Sequence, residues 1–575
     1  MSTPPPAPGD RSEPPTPASA EPEPGGPARA FWRSLSGPGL LIGAAFFAAS
    51  LTPSLIPRGF LMQGILAGLC FAIGYGAGVL LTAIWTLLHL PVLRYGRHRQ
   101  LAHWAAALVA LVIIGGYALR AAEWQNSIRA RMTLPPVESV RPLEVALIAL
   151  ILFALLVLLW RASGKVSRPF RAWLARHLPE RAALALGFVL ILALLAFLTN
   201  RLVLTASLRL ADGVFAAVDA LIEPKFTPPT GSERTGSPAS LIAWEDLGRA
   251  GREFVASGPT REDLAAFLGR SALQPLRVYV GLNAAEGEEA RARLALRELI
   301  RVGAFDRAVL IVAVPTGSGW MDPAATDTVE YLHAGDTAIV AVQYSYLASP
   351  LSLLFEPGFA MESGRSLFRA VYRHWTGLPE RRRPRLYLFG LSLGAYGSEQ
   401  SSRLHEVLAD PYHGALWAGP PFPTPGWRAV TLDRNPDSPE WLPTYGDGSI
   451  VRFTNQENAL DLPGARWGPM RIVYLQYASD PVTFFSPSTF YRKPDWMNEP
   501  VGPDVSPDLR WYPVVTGLQL ALDMAVGLDV PIGFGHYFAP EHYIDAWMAV
   551  SAPAGWTPEE LERLKARFID GRSGG

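Results

Sequence analysis

Five long apolar stretches dominate the N-terminal part of this 575-residue chain, roughly Gly37–Ile56, Leu61–Leu88, Leu101–Leu119, Pro142–Trp160 and Ala182–Ala206. Each is near or above the roughly 20 residues that a helix needs to cross hydrocarbon. Lipid offers no hydrogen bonds to an open backbone, so a series of this kind restricts residues 31–222 to a transmembrane helical domain of about five spans. Buried helices of a soluble core would not explain why Trp32, Trp85, Trp104 and Trp160 fall near segment ends, where interfacial anchors belong. Residues 1–30 are rich in Pro, Ala, Gly and Glu with almost no large apolar side chains, and read as a disordered tail. That tail lacks the basic start and apolar run of a secretory signal, so the first stretch is expected to stay in the protein as an anchor.

Arginine placement orients the bundle. Arg94, Arg97 and Arg99 lie between stretches two and three, and Arg161, Lys165, Arg168, Arg171, Arg176 and Arg181 between four and five. Those loops are expected in the cytoplasm, which puts everything after about Leu208 on the opposite, extracytoplasmic side. The bias is uneven, because Arg120, Arg129, Arg131 and Arg141 flank the loop after stretch three. Two details exceed simple anchoring. In Ser50-Leu51-Thr52-Pro53-Ser54-Leu55-Ile56-Pro57-Arg58 two prolines remove backbone donors, so the first helix is expected to kink or end there. Asn200 and Arg201 interrupt stretch five, with snorkelling to the interface as the plain explanation of the arginine.

Hydropathy falls from about Glu223, and residues 223–240 read as a Pro-, Thr-, Gly- and Ser-containing linker. Residues 241–575 then alternate short apolar runs with amphipathic stretches. The runs are Leu276–Val280, Ala308–Val314, Ala338–Val342, Leu386–Phe389, Ala415–Trp417 and Arg471–Gln476, and helices are expected at Gly287–Val302 and Met361–Trp375. Strand and helix in alternation predict an α/β domain with a mostly parallel sheet and helices on both faces. Lys plus Arg and Asp plus Glu both total 51, which gives no reason to expect nucleic acid as a partner. The single cysteine, Cys70, excludes an intramolecular disulfide.

Within that domain Gly390-Leu391-Ser392-Leu393-Gly394 follows the run Leu386–Phe389 and precedes the helix-like Ala395–Leu408. A strand-to-helix turn tight enough to expose a serine hydroxyl leaves no room for side chains at either end, so Ser392 is a candidate nucleophile. Asp480 follows Arg471–Gln476 and so sits at the carboxyl end of a strand, whereas Asp433, Asp437, Asp447 and Asp461 have no preceding strand. Beyond Asp480 only His536 and His542 remain. His536, between glycine and tyrosine in a loop, is the better base, since His542 falls on the helix Glu541–Val550. Serine needs an imidazole to take its proton, and the imidazole needs a carboxylate to orient it. Oxyanion donors are expected from the Leu393 N–H and from Gly317 or Ser318, in the glycine-rich loop Val314–Trp320 after a strand. Neither a metal nor an organic cofactor is required.

With the order Ser392, Asp480, His536, the chain resembles the α/β-hydrolase superfamily. More narrowly, Ser50–Arg58, Gly248–Thr260, Pro315–Pro323 and Gly390–Gly394 make it similar to bacterial membrane proteins that join a hydrophobic multi-helix domain to an α/β-hydrolase domain. The resemblance implies hydrolase chemistry. The expected activity is that of a membrane-anchored serine hydrolase on an acyl ester, thioester or lipid-like substrate, with membrane lipids as neighbours. An acyltransferase using the same three residues, or a hydrolase-like binding module on a transport or assembly protein, remain as alternatives. Aromatic residues in Pro420–Pro469 and Phe484–Trp511 either cap the site or pack on the domain's own core.

Overall fold

The computed structural model describes residues 31, 34–91, 96–166, 219, 221, 223, 225–347, 352, 357–498 and 500–573. The expected tail, and the fifth apolar stretch with Asn200 and Arg201, lie outside the described residues. Among the described residues four helices form the N-terminal part: α1 (Gly37–Ser50), α2 (Phe60–Leu87), α3 (Gly96–Arg131) and α4 (Pro142–Val166). Three of them, α2, α3 and residues Pro142–Ser163 of α4, are long and apolar enough to cross a membrane. Helix α1, with 14 residues, is not. At about 1.5 Å per residue it reaches about 21 Å, short of the roughly 30 Å of hydrocarbon. The first helix thus ends at the start of the Ser50–Arg58 segment, as expected from its two prolines, and stretch one is not helical through to Ile56. The helix stops where Ser50 and Thr52 turn their hydroxyls back to the Phe47 and Ala49 carbonyls, both at 2.6 Å, and where Pro53 and Pro57 supply no N–H.

Small residues draw α1 and α2 together. A Cβ on Gly78 would lie 2.6 Å from the Gly39 Cα, and one on Gly74 would lie 2.8 Å from the Ile42 carbonyl oxygen. Leu111, Val112, Leu143 and Leu150 point outward and exposed, as lipid-facing side chains do. The bundle has two distinguishable ends. At one, Arg161 stacks 4.8 Å over Phe31 and hydrogen-bonds Ser34, just before α1. At the other, Leu55, Ile56, Ile128 and Met132 join the same buried cluster as the C-terminal sheet.

That sheet has seven strands, all parallel, in the order β1-β3-β2-β4-β5-β7-β6. They are β1 (Leu276–Val280), β2 (Val309–Val314), β3 (Thr337–Val342), β4 (Arg385–Leu391), β5 (Gly414–Ala418), β6 (Val451–Thr454) and β7 (Arg471–Leu475). Every residue of β2 and β3 is buried, the reason these runs are apolar without alternation. Around it lie the helices α5 (Glu288–Arg301), α6 (Pro323–Leu332), α7 (Pro357–Gly377), α8 (Leu393–Glu399), α9 (Pro481–Phe484), α10 (Val515–Ala525) and α11 (Pro540–Ser551). Helix α5 pairs with α7 and α6 with α11, and these pairs flank the sheet.

Two local readings change. Val451–Thr454 is an edge strand absent from the expected runs, hidden in the sequence because Arg452 breaks its apolar run. The Arg452 guanidinium lies 4.0 Å over Trp467 and donates to the Gly448 and Leu460 carbonyls. The helix after Ser392 ends at Glu399 and resumes only at Leu404–Val407. Ser401 donates to the Ser398 carbonyl at 2.7 Å, a local bond that competes with continued helix. Trp427 and Trp496 are buried in the domain's core, with indole N–H bonds to Gln476 Oε1 and the Phe484 carbonyl.

Candidate active site

The strand pairing dictates where chemistry can sit. Val314 at the end of β2 is level with Gly390, and Leu391 with Ala418, so β4 delivers Ser392 between two neighbouring strand ends. There the chain reverses into α8. Ser392 carries φ +58° and ψ −128°, outside the regions ordinary side chains favour, at a cost of about 1–3 kcal/mol. The flanking glycines are what make this reversal possible. A Cβ on Gly390 would lie 2.3 Å from the Gly394 carbonyl oxygen, and one on Gly394 would lie 2.2 Å from the Val314 carbonyl oxygen.

Asp480 is fully buried and caps α9, accepting from the Val482 N–H at 2.8 Å and the Thr483 hydroxyl at 3.0 Å. Oδ2, which takes the Thr483 bond, also faces His536, whose Nδ1 lies 2.7 Å away. The imidazole in turn lies against the serine's neighbour. Ser392 N–H donates to the Ala418 carbonyl at 2.9 Å, and a Cβ on the next residue, Gly419, would come within 2.7 Å of His536 Cε1. Serine, carboxylate and imidazole thus gather at the carboxyl ends of β4, β5 and β7. Nε2 of His536 is buried and makes no hydrogen bond, to Ser392 or to any other described residue.

Leu393 is the first residue of α8, so its N–H has no partner within the helix. The loop carrying Gly317 and Ser318 starts beside the same turn, since the Pro315 carbonyl oxygen would be 2.8 Å from a Gly394 Cβ. It is braced by the Thr316 N–H bond to Trp320 at 3.1 Å and by the Tyr279 hydroxyl on Gly319 at 2.7 Å. His542 goes elsewhere, its Nδ1 within 2.6 Å of the Tyr477 hydroxyl, which burial holds protonated well above the usual phenol range.

Sequence reasoning missed a layer of support. Asp504 Oδ2 accepts from the Ser479 N–H at 3.1 Å, the Ser479 hydroxyl at 2.6 Å and Gln456 at 2.8 Å. Ser479 Oγ accepts the Gly535 N–H at 2.9 Å, so this chain of bonds fixes the residue before the histidine. Nothing in the turn Gly502–Ser506 signals that role in one dimension. Among the described residues, no cluster of three or more His, Cys, Asp or Glu side chains is arranged to hold a metal ion.

Comparison with known proteins covers most of the chain. A family model described as "Alpha/beta-hydrolase family" matches residues 276–564, and one described as "Alpha/beta-hydrolase family N-terminus" matches residues 51–259. No curated relative and no solved structure matches the chain.

Proposed function

Because the chain belongs to the alpha/beta-hydrolase family, we propose that it is a membrane-anchored serine hydrolase acting on a carboxylic ester or thioester through an acyl-enzyme. The observation that carries this reading is the 2.7 Å contact between His536 Nδ1 and Asp480 Oδ2, beside a serine held at φ +58°. Ser392 Oγ attacks the substrate carbonyl carbon while its proton passes to His536 Nε2. Asp480 accepts the Nδ1–H bond and stabilises the imidazolium that forms. The negative oxygen of the tetrahedral intermediate is held by the Leu393 N–H, with Gly317 or Ser318 as the second donor. Collapse breaks the bond to the leaving oxygen or sulfur, which takes the proton from Nε2. Water then repeats the sequence, giving its proton to His536 and releasing the acid and Ser392.

The α/β domain is placed by this reading on the extracytoplasmic side. It packs against the bundle end that carries Leu55, Ile56, Ile128 and Met132, while Arg97, in the first turn of α3, lies at the far end. Turnover of a p-nitrophenyl ester series by the full-length protein in detergent, measured beside Ser392→Ala, tests the activity. The account expects hydrolysis that the alanine variant loses by about 10³-fold or more. Equal rates from the two proteins would refute it.

A further inference from the structure

The Ser50–Arg58 segment, which anchoring alone does not explain, runs into the α/β domain. Leu55 and Ile56 are fully buried there, and the Leu55 N–H donates to Asp523 Oδ2 at 3.2 Å. Gln519 on the same helix, α10, donates to the Thr52 carbonyl at 3.0 Å. Arg58 sits with its Nε 4.0 Å from Asp523 Oδ1, both side chains wholly inaccessible, and its backbone N–H is held by Gln125 of α3 at 3.0 Å. Helix α10 ends two residues before Gly527, and the Gly527 carbonyl accepts the His536 N–H at 3.1 Å. Ile56 also lies beside the histidine loop, its Cγ2 3.6 Å from where a Cβ on Gly535 would be.

A second route reaches the same place. At the end of α3, Ser127 Oγ lies 2.6 Å from Ser506 Oγ, and Arg131 donates to the Pro503 carbonyl at 3.2 Å. Residues 503 and 506 bracket Asp504, which holds Ser479, which holds the Gly535 N–H. Both of these routes from the bundle into the α/β domain therefore converge on Gly535 and His536.

Resting on the serine-hydrolase reading, we infer that the membrane domain positions the catalytic base: Ile56 and Asp523 on one side, and the α3 end acting through Asp504 on the other, hold residues 527–536 so that His536 faces Ser392. A contact that merely joined two domains would not need to meet at this loop.

The test uses full-length protein in lipid nanodiscs, with Ile56→Ala, Asp523→Asn and the conservative Ile56→Val. Backbone hydrogen exchange in D2O is followed by mass spectrometry over residues 527–536, with β4 and β5 as the folding reference. Ile56→Ala and Asp523→Asn are expected to lose protection over 527–536 with the reference strands unchanged, and Ile56→Val to restore it. Fluorophosphonate labelling of Ser392 is expected to slow by about 10- to 100-fold in step, since small misplacements of a reacting group cost rates of that order. Unchanged protection over 527–536 would overturn the inference, as would lost protection with an unchanged labelling rate. Should one variant lose the reference strands too, the other decides. Failure of the unaltered protein to label would count against the serine-hydrolase reading alone, because exchange judges the loop without any activity.

Discussion

Asp480→Asn isolates what the carboxylate does, because the surrounding donors dictate how the amide must sit. Oδ1 of Asp480 accepts the Val482 N–H at 2.8 Å, and an amide nitrogen there would meet another donor. The amide oxygen therefore takes that side, and the NH2 group takes the Oδ2 position, where the Thr483 hydroxyl at 3.0 Å can rotate to accept and His536 Nδ1 lies 2.7 Å away. Its N–H donates to Nδ1, which leaves the imidazole proton on Nε2, the atom that must accept from serine. The wrong tautomer is locked in while shape and packing are kept. Loss of the correctly oriented base in such a site is worth about 10³–10⁴-fold, which at about 1.4 kcal/mol per decade is about 4–5.5 kcal/mol of transition-state stabilisation. The assay is the second-order rate of fluorophosphonate reaction with Ser392, beside the thermal midpoint of the same sample. A rate within threefold of the unaltered protein, with the fold intact, would refute the role assigned to Asp480.

Three further outcomes are expected. Gly394→Ala would place a Cβ 2.2 Å from the Val314 backbone oxygen, which cannot yield as a flexible side chain could; a destabilisation of about 1–3 kcal/mol or more should appear as a lower melting temperature. His542→Gln should leave the labelling rate within about threefold, whereas Asp504→Ala, which unties Ser479 and through it Gly535, should slow it by about tenfold or more, the two being compared by rate at equal protein concentration. Asp523 gives a pH signature: burial pushes its carboxyl up from the ordinary 3.8 to about 6, against the opposing pull of Arg58. The folded state thus holds this proton more tightly than the unfolded one, so the contribution is present below about pH 4 and fades as pH rises through about 6. Melting curves across that range should lose this component in Asp523→Asn, and identical pH dependence in the two proteins would contradict the assignment.

How much of this was legible in the chain varies with the range of the interaction. The serine turn could be read because its constraint is local: Gly390 and Gly394 must be small for reasons within a few residues and one neighbouring strand. Asp480 and His536 followed from strand ends and chain order, which the parallel sheet enforces. The strand at Val451–Thr454 was obscured by Arg452, since a cation stacked on Trp467 breaks the apolar run that marks a strand. The first membrane stretch looked long enough because composition continues past Ser50 while the hydrogen-bonding pattern does not. The Leu55–Asp523 bond joins positions 468 residues apart, and no periodicity in either segment points to the other. Support of the histidine loop is therefore a property of the assembled fold.

The most direct test of the account is fluorophosphonate labelling of membranes containing the full-length protein, with the modified peptide sequenced, in parallel with Ser392→Ala. The account predicts covalent modification mapped to Ser392 and none in the alanine variant. No modification under conditions that label a control serine hydrolase, or modification that persists without Ser392, would contradict it.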